Sequence, residues 1–153
     1  MIPEKVRKVL QAHGLQALEF EEGSTPTATT AAEMIGVEVG QIAKSMLMRG
    51  KDGACRMFVI AGDRKISSSK VKKTTGVKHS MCSPEESYEI TGFRPGGVCP
   101  FGVEGVEIYI DSSLDGYETV YPAAGNDASG VPTTFKQLLE ITGGVVCSIT
   151  ADL

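Results

Sequence analysis

The period of the apolar positions changes several times along the chain, and each change marks an element. Ile2, Val6, Val9 and Leu10 recur at helical spacing, with Pro3 in the first turn and Gly14 behind them. They predict a helix over residues 3–13. Residues 15–21 alternate as a short strand does. Thr30-Ala31-Ala32-Glu33 has capping-box spacing and predicts a helix that Gly36 ends. A turn over 37–42 then leads into an apolar strand over 44–49. Gly50-Lys51-Asp52-Gly53 signals a hairpin, and 56–61 supplies the partner strand.

Farther on, Ser67 opens a predicted helix over 67–75 with Gly76 behind it. Ser83-Pro84-Glu85-Glu86 is a second capping box, with proline at the first helical position. Strands are expected over 106–110 and 118–122, the latter opening into a polar, glycine-rich stretch over 123–130. Thr134 with Gln137 caps a last helix over 135–141, and 145–149 reads as a closing strand. Short strands and short helices in no regular alternation point to an α+β fold or mixed-sheet barrel, not a doubly wound sheet.

Composition narrows the picture. With 153 residues, 41% of them apolar, the chain fits one domain over 1–153 with a real core. No apolar stretch is long enough to cross a bilayer, and the start lacks the regions of a signal peptide, so a cytoplasmic protein is expected. Cys55, Cys82, Cys99 and Cys147 are scattered without C-x-x-C spacing. They are expected to be buried structural thiols in a reducing compartment. A net charge of −4 argues against a general nucleic-acid coat. Yet Arg64, Lys65, Lys70, Lys72, Lys73 and Lys78 crowd into fifteen residues, with Asp63 the one acid nearby. That segment reads either as a solvated helix face or as a patch for a phosphate backbone.

Candidate chemistry centres on two features. Lys44 lies inside the apolar run Gln41-Ile42-Ala43-Lys44-Ser45-Met46-Leu47-Met48. Such a lysine costs free energy unless it is paired or wetted by a cleft. The loop Arg94-Pro95-Gly96-Gly97-Val98-Cys99-Pro100-Phe101-Gly102 presents bare backbone amides in a fixed turn, suited to gripping a carbonyl or phosphate. Taken alone, each has a plainer reading: a lysine that snorkels from an edge strand, and a tight turn.

Side-chain nucleophiles are scarce. His13 and His79 are the only histidines, and no G-x-S-x-G elbow, H-E-x-x-H helix or Cys/His ligand cluster occurs. Neither a metal nor a cofactor is implied. Hydrolysis of an activated ester remains, because it asks little of the protein. One oxyanion donor is worth about 100- to 1,000-fold in rate.

Gln-Ile-x-Lys44-Ser45-Met-Leu, then Val59-Ile-Ala-Gly-Asp63, then Thr91-Gly-Phe-x-x-Gly96-Gly97-Val98-Cys99-Pro100-Phe101-Gly102, then Tyr121-x-Ala-Ala-Gly125 follow one another in an order that resembles the YbaK/ProX family. These are free-standing editing proteins related to the insertion domain of bacterial prolyl-tRNA synthetases. The likeness runs over essentially the whole chain and implies a barrel-like mixed sheet surrounded by short helices. It also implies hydrolysis of the ester in a mischarged tRNA, that for proline or a related one. Lys44 matches the family lysine, which binds substrate near the terminal adenosine. Gly96, Gly97, Val98 and Pro100 match the loop whose backbone meets the aminoacyl carbonyl. Ser45 stands where the family has Thr, Ser or Asn. Gly125 and Asn126 match the small-residue loop of the opposite pocket wall, and Phe20 and Thr27 match, more loosely, pocket-lining positions.

The partners so implied are mischarged tRNA and prolyl-tRNA synthetase, with neither membrane nor DNA. Arg64, Lys65, Lys70, Lys72 and Lys73 are then candidates for tRNA phosphates. Cysteine-removing members carry an acid shortly after the small-residue loop; this chain has Ser129-Gly130-Val131. Alanine-removing members carry Asn after the lysine and a His in that loop, and this chain has neither. The expected substrate is therefore a small or medium uncharged amino acid. The alternatives are a non-catalytic module binding a tRNA end or a synthetase, and a hydrolase of some other activated ester.

Overall fold

Four of the five α-helices among the described residues begin where a Ser or Thr hydroxyl caps them, and the first begins behind Pro3. In a computed structural model, which describes residues 1–152, helix α1 (Glu4–Ala12) leads through strand β1 (Leu18–Glu19) to helix α2 (Ala28–Ile35). Strands β2 (Ile42–Gly50) and β3 (Cys55–Ala61) form the hairpin, followed by α3 (Ser68–Thr75), β4 (His79–Met81) and α4 (Pro84–Thr91). Then come β5 (Glu107–Asp111), β6 (Tyr121–Pro122), β7 (Ser129–Gly130), α5 (Phe135–Thr142) and β8 (Val145–Cys147). The hydroxyls of Ser67, Ser83 and Thr134 each accept the N–H three residues on, as their spacing predicts.

One cap differs from expectation. Helix α2 begins at Ala28, capped by Thr27, and Thr30 closes the box by accepting from the Thr27 N–H at 3.0 Å. Thr30 thus lies inside the helix, because threonine serves at the third helical position as well as Glu or Gln does.

The architecture is α+β. A sheet in the order β4-β2-β3-β5-β8, with β6 also beside β2, is accompanied by a separate β1-β7 pair. The sheet is mixed: β2 is antiparallel to β3 and β4, whereas β6, β5 and β8 join in parallel. Its end strands do not pair with each other, so the expected barrel-like sheet is open.

Packing follows the strand alternation. Ala43, Leu47, Met57, Val59 and Ala61 face a core completed by Val6 and Leu10 of α1 and Leu138 of α5. Met48, Phe58 and Ile60 face the other way, onto Val71 of α3 and Ile149. With both faces covered, β3 reads as a continuous apolar run. Burying one such large side chain contributes about 1.5–3 kcal/mol.

Several shorter elements depart from the pattern. The strand expected over 15–21 shrinks to Leu18–Glu19, because its partner β7 offers only two residues. Likewise 118–122 pairs with β2 only at Tyr121 and Pro122, and 145–149 pairs with β5 only at Val145, Val146 and Cys147. β4 and β7 carry no apolar alternation, and a turn of 3-10 helix at Ser112–Gly116 has no hydrophobic stripe. Asp111, buried at the end of β5, is satisfied by the N–H of Ile149 at 2.7 Å, that of Ser113 and the Thr150 hydroxyl.

Candidate functional site

The site forms where β2 loses its partner. On one edge β2 pairs with β6 through Ile42 and Ala43 and with β4 through Met48, Arg49 and Gly50. Among the described residues no strand covers the edge between them. The Ile42 carbonyl accepts from Gly62 on the β3 side, and the Leu47 carbonyl accepts from Cys82 on the opposite side. Backbone groups alternate along a strand, so Ser45 turns its N–H and C=O toward the open edge.

Opposite this edge stands the glycine-proline loop. Phe93 and Phe101, 1% and 0% exposed, fix its two ends in the core. Lys5 adds a tie, donating to the Thr91 carbonyl with its ammonium 4.4 Å from the centre of the Phe93 ring. Within the loop the Gly97 N–H donates to the Arg94 carbonyl at 3.0 Å. Gly96 has φ +86, a left-handed conformation that glycine adopts without strain. Gly97 is pressed against backbone: a Cβ there would lie 2.7 Å from Asn126 Cα and 2.8 Å from Gly125 C.

Between loop and edge lies a cavity of about 170 Å³. Lys44, Ser45, Gly96 and Val98 line it, together with Thr25, Thr27 and Ala31 from the α2 side and Tyr121 and Ser129 from the far side. Lys44 is exposed and, among the described residues, in no ion pair. The Ser45 hydroxyl is buried without a hydrogen-bond partner. Such a group costs about 1–3 kcal/mol unless a partner arrives. Among the described residues no Asp, Glu or His side chain lines the cavity.

The sequence-derived candidates therefore separate. Lys44, Ser45, Gly96, Val98 and Thr27 meet at the cavity. Gly97, Gly125 and Asn126 instead border a second hollow of about 330 Å³, behind the loop. Asn126 organises its own turn: its Oδ1 accepts from the Ser129 hydroxyl at 2.7 Å and the Ala128 N–H at 3.1 Å. Pro100 is buried, and Phe20 is half-buried; neither lines the cavity. The basic segment is elsewhere, with α3 packed through Val71 on the second core. Lys70 donates to the Thr150 carbonyl at 2.7 Å and pairs with Asp152 at 3.0 Å. Arg64 reaches Asp63 at 4.0 Å.

Sequence reasoning missed Thr25 and Ser129, whose only signals were a turn and a small-residue stretch. The Thr25 hydroxyl accepts from the Ser129 N–H at 3.2 Å, joining the two walls. The thiols also divide. Cys99 and Cys147 are buried, and burial pushes each up to about 12. Cys55 and Cys82 are only half-buried, contrary to expectation, with their sulfurs 3.9 Å apart. Burial, then the neighbouring Cys55, pushes Cys82 up to about 12. His79 is buried between Arg56 and the Val77 carbonyl, at 3.0 Å from each, remote from the cavity.

Both the sequence and the fold have counterparts among known proteins. The model of the aminoacyl-tRNA editing domain matches residues 22–141, a span holding every cavity-lining residue. The chain is 45% identical to an uncharacterised protein of Bacillus subtilis, YwhH, over 81% of this chain and 79% of that one. It is 25% identical to a candidate Cys-tRNA(Pro)/Cys-tRNA(Cys) deacylase of Enterococcus faecalis, over 94% of this chain and 90% of that one. Among solved structures, a candidate trans-editing enzyme for prolyl-tRNA synthetase superposes with a TM-score of 0.88 at 33% identity, covering 99% of this chain and 100% of that one. No helix of the described residues is long and apolar enough to cross a membrane. From its sheet edge to its glycine-proline loop, the chain belongs to the aminoacyl-tRNA editing domain family.

Proposed function

We propose that this protein is a trans-acting aminoacyl-tRNA deacylase of the cytoplasm. It would hydrolyse the ester between a small or medium uncharged amino acid and the terminal ribose of a mischarged tRNA, that for proline or a related one. The observation that carries this reading is the cavity holding Lys44, the Gly96–Val98 backbone and the unpartnered Ser45 hydroxyl together. Its volume of about 170 Å³ leaves room for a small or medium aminoacyl group. Lys44 is its one charged side chain, so an ionised amino-acid side chain of positive charge would lack a counter-ion.

In this reading Lys44 anchors the anionic end of the tRNA, and the loop amides hold the ester carbonyl as it gains negative charge. Water, held beside the neighbouring ribose hydroxyl, attacks the carbonyl carbon and gives up a proton as it does so. The ester C–O bond breaks, and the departing ribose oxygen takes up a proton. No carboxylate or imidazole in the cavity would serve as base, so rate would come from positioning and a good leaving group. Editing of this kind answers a limit on synthetic sites, where a missing methylene is worth only about 1–3 kcal/mol. Prolyl-tRNA synthetase would be the natural source of the error and a partner. The lack of a side-chain base also favours a second reading, a non-catalytic module that binds a charged tRNA end.

Deacylation of a panel of mischarged tRNAs tests both, with Lys44→Ala beside wild type. The deacylase reading expects hydrolysis of at least one substrate and a loss of about tenfold or more in Lys44→Ala, as for a charge-assisted contact. If wild type binds these tRNAs yet spares every ester, the binding module takes its place.

A further inference from the structure

The cavity does not end at Lys44. Lys44, Ser45 and Val98 also line a neighbouring hollow that reaches Met81, Pro84 and Pro95. Pro84 and Pro95 are in turn shared with a third hollow, lined by Tyr88 and Arg94. The three join into one groove along the uncovered edge of β2, ending against α4. Its apolar surfaces are open to solvent, with Met81 53% and Tyr88 44% exposed. At the far end the Arg94 guanidinium lies 4.9 Å from the centre of the Tyr88 ring, and among the described residues no carboxylate pairs with it.

We infer that this groove is the binding site of the unpaired 3′ end of the tRNA, which it takes by stacking of nucleobases. The inference rests on the deacylase reading for the identity of the nucleic acid, but not for the chemistry of the surface. Single-stranded RNA is recognised by stacking on aromatic rings and guanidinium planes, and Tyr88 with Arg94 supplies both. The groove opens into the pocket proposed for the ester, so a strand lying in it would deliver its 3′ terminus to Lys44. Glu85 and Glu89 line the same end. These acids disfavour phosphate contacts there, and they separate this surface from the lysine-rich α3. No local pattern announces it, because Met81, Tyr88 and Arg94 belong to three different segments.

The test is binding of two fluorescent RNA hairpins to the whole protein: an acceptor-stem mimic with a single-stranded CCA overhang, and its blunt counterpart. Wild type should prefer the overhang. Tyr88→Ala and Arg94→Ala should each weaken the overhang complex about tenfold, within the range for a lost stack, and leave the blunt one unchanged. Tyr88→Phe should bind as wild type does, whereas Arg94→Lys, which keeps charge but not the plane, should lose most of the preference. Thermal melting shows that each variant is folded, and Tyr88→Phe with Arg94→Lys carries the test if an alanine variant is not. The inference is overturned if wild type binds both hairpins equally, or if the variants weaken both alike or neither. Overhang binding through Tyr88 and Arg94 without deacylation would sink the proposed reaction alone. Deacylation with no preference for the overhang would sink the groove alone.

Discussion

Two cationic regions of this molecule differ in a way that composition hides. Residues 64–78 carry six lysines and arginines, three of them on a short helix with its own local uses for them. Lys72 and Lys73 fall in the last turn of α3, where they complement the helix dipole, and Lys70 is held by Thr150 and Asp152. Lys44 and Arg94 are each isolated in sequence. Yet both face one continuous groove, one at its pocket end and one on an aromatic ring. Density of charge along a chain therefore says less about a binding site than where the backbone leaves an opening. Here the opening is the stretch of β2 that neither β4 nor β6 covers.

The groove depends most on the loop that closes it. Gly97→Ala would put a methyl group 2.7 Å from Asn126 Cα, a clash with backbone that no rotamer relieves. Overpacking of this kind costs about 1–3 kcal/mol, and a displacement of about 1 Å at the carbonyl grip costs about 100-fold in rate. Deacylation should fall by about two orders of magnitude with the protein still folded, as thermal melting would show. Near-normal turnover in a folded Gly97→Ala protein would mean that the loop backbone does not hold the ester.

How much of this could be read beforehand depended on whether the signal was local. The caps at Ser67, Ser83 and Thr134 were legible because each is a contact between residues three apart. The β2–β3 hairpin was legible because its turn and both apolar runs are contiguous. Lys44 and the glycine-proline loop stood out as departures from their surroundings. The partition of the candidates was not legible. Asn126 and Gly97 meet back to back behind the loop rather than across the pocket, and only tertiary packing places them there. Thr25 and Ser129 left only a turn and a small-residue stretch to read, since the hydrogen bond that joins them spans 104 residues. The open edge of β2 is a missing pairing, and a missing pairing leaves no mark in a sequence.

Ser45 sharpens the comparison from the groove side. Its hydroxyl is buried and unpartnered, an arrangement that costs stability in the free protein, and in the proposed reading the bound substrate supplies the missing partner. Ser45→Ala should therefore melt at the same temperature as wild type or a few degrees higher, a gain of up to about 1 kcal/mol. In the same variant KM for a susceptible aminoacyl-tRNA should rise about three- to tenfold, in line with one lost hydrogen bond. A drop in melting temperature with unchanged KM would make the hydroxyl a structural group and remove it from the site.

The smallest effect is expected where the charge is densest. Replacing Lys72 and Lys73 together by alanine removes two charges from the end of α3, and the lost dipole interaction should cost about 0.3–1 kcal/mol per residue. If the groove receives the RNA by stacking, KM for the aminoacyl-tRNA should change less than twofold at physiological salt. The slope of log affinity against log salt should also be nearly unaltered. A lysine that neutralises a phosphate contributes about 0.7 to 0.9 to that slope, so two engaged lysines would lower it by about 1.5. The slope separates the two regions better than affinity does, because destabilisation of α3 would weaken binding without removing counterion release. A reduction of that size would put the acceptor stem on α3 while leaving its 3′ end in the groove. The two regions would then be successive contacts on one RNA, duplex first and single strand second.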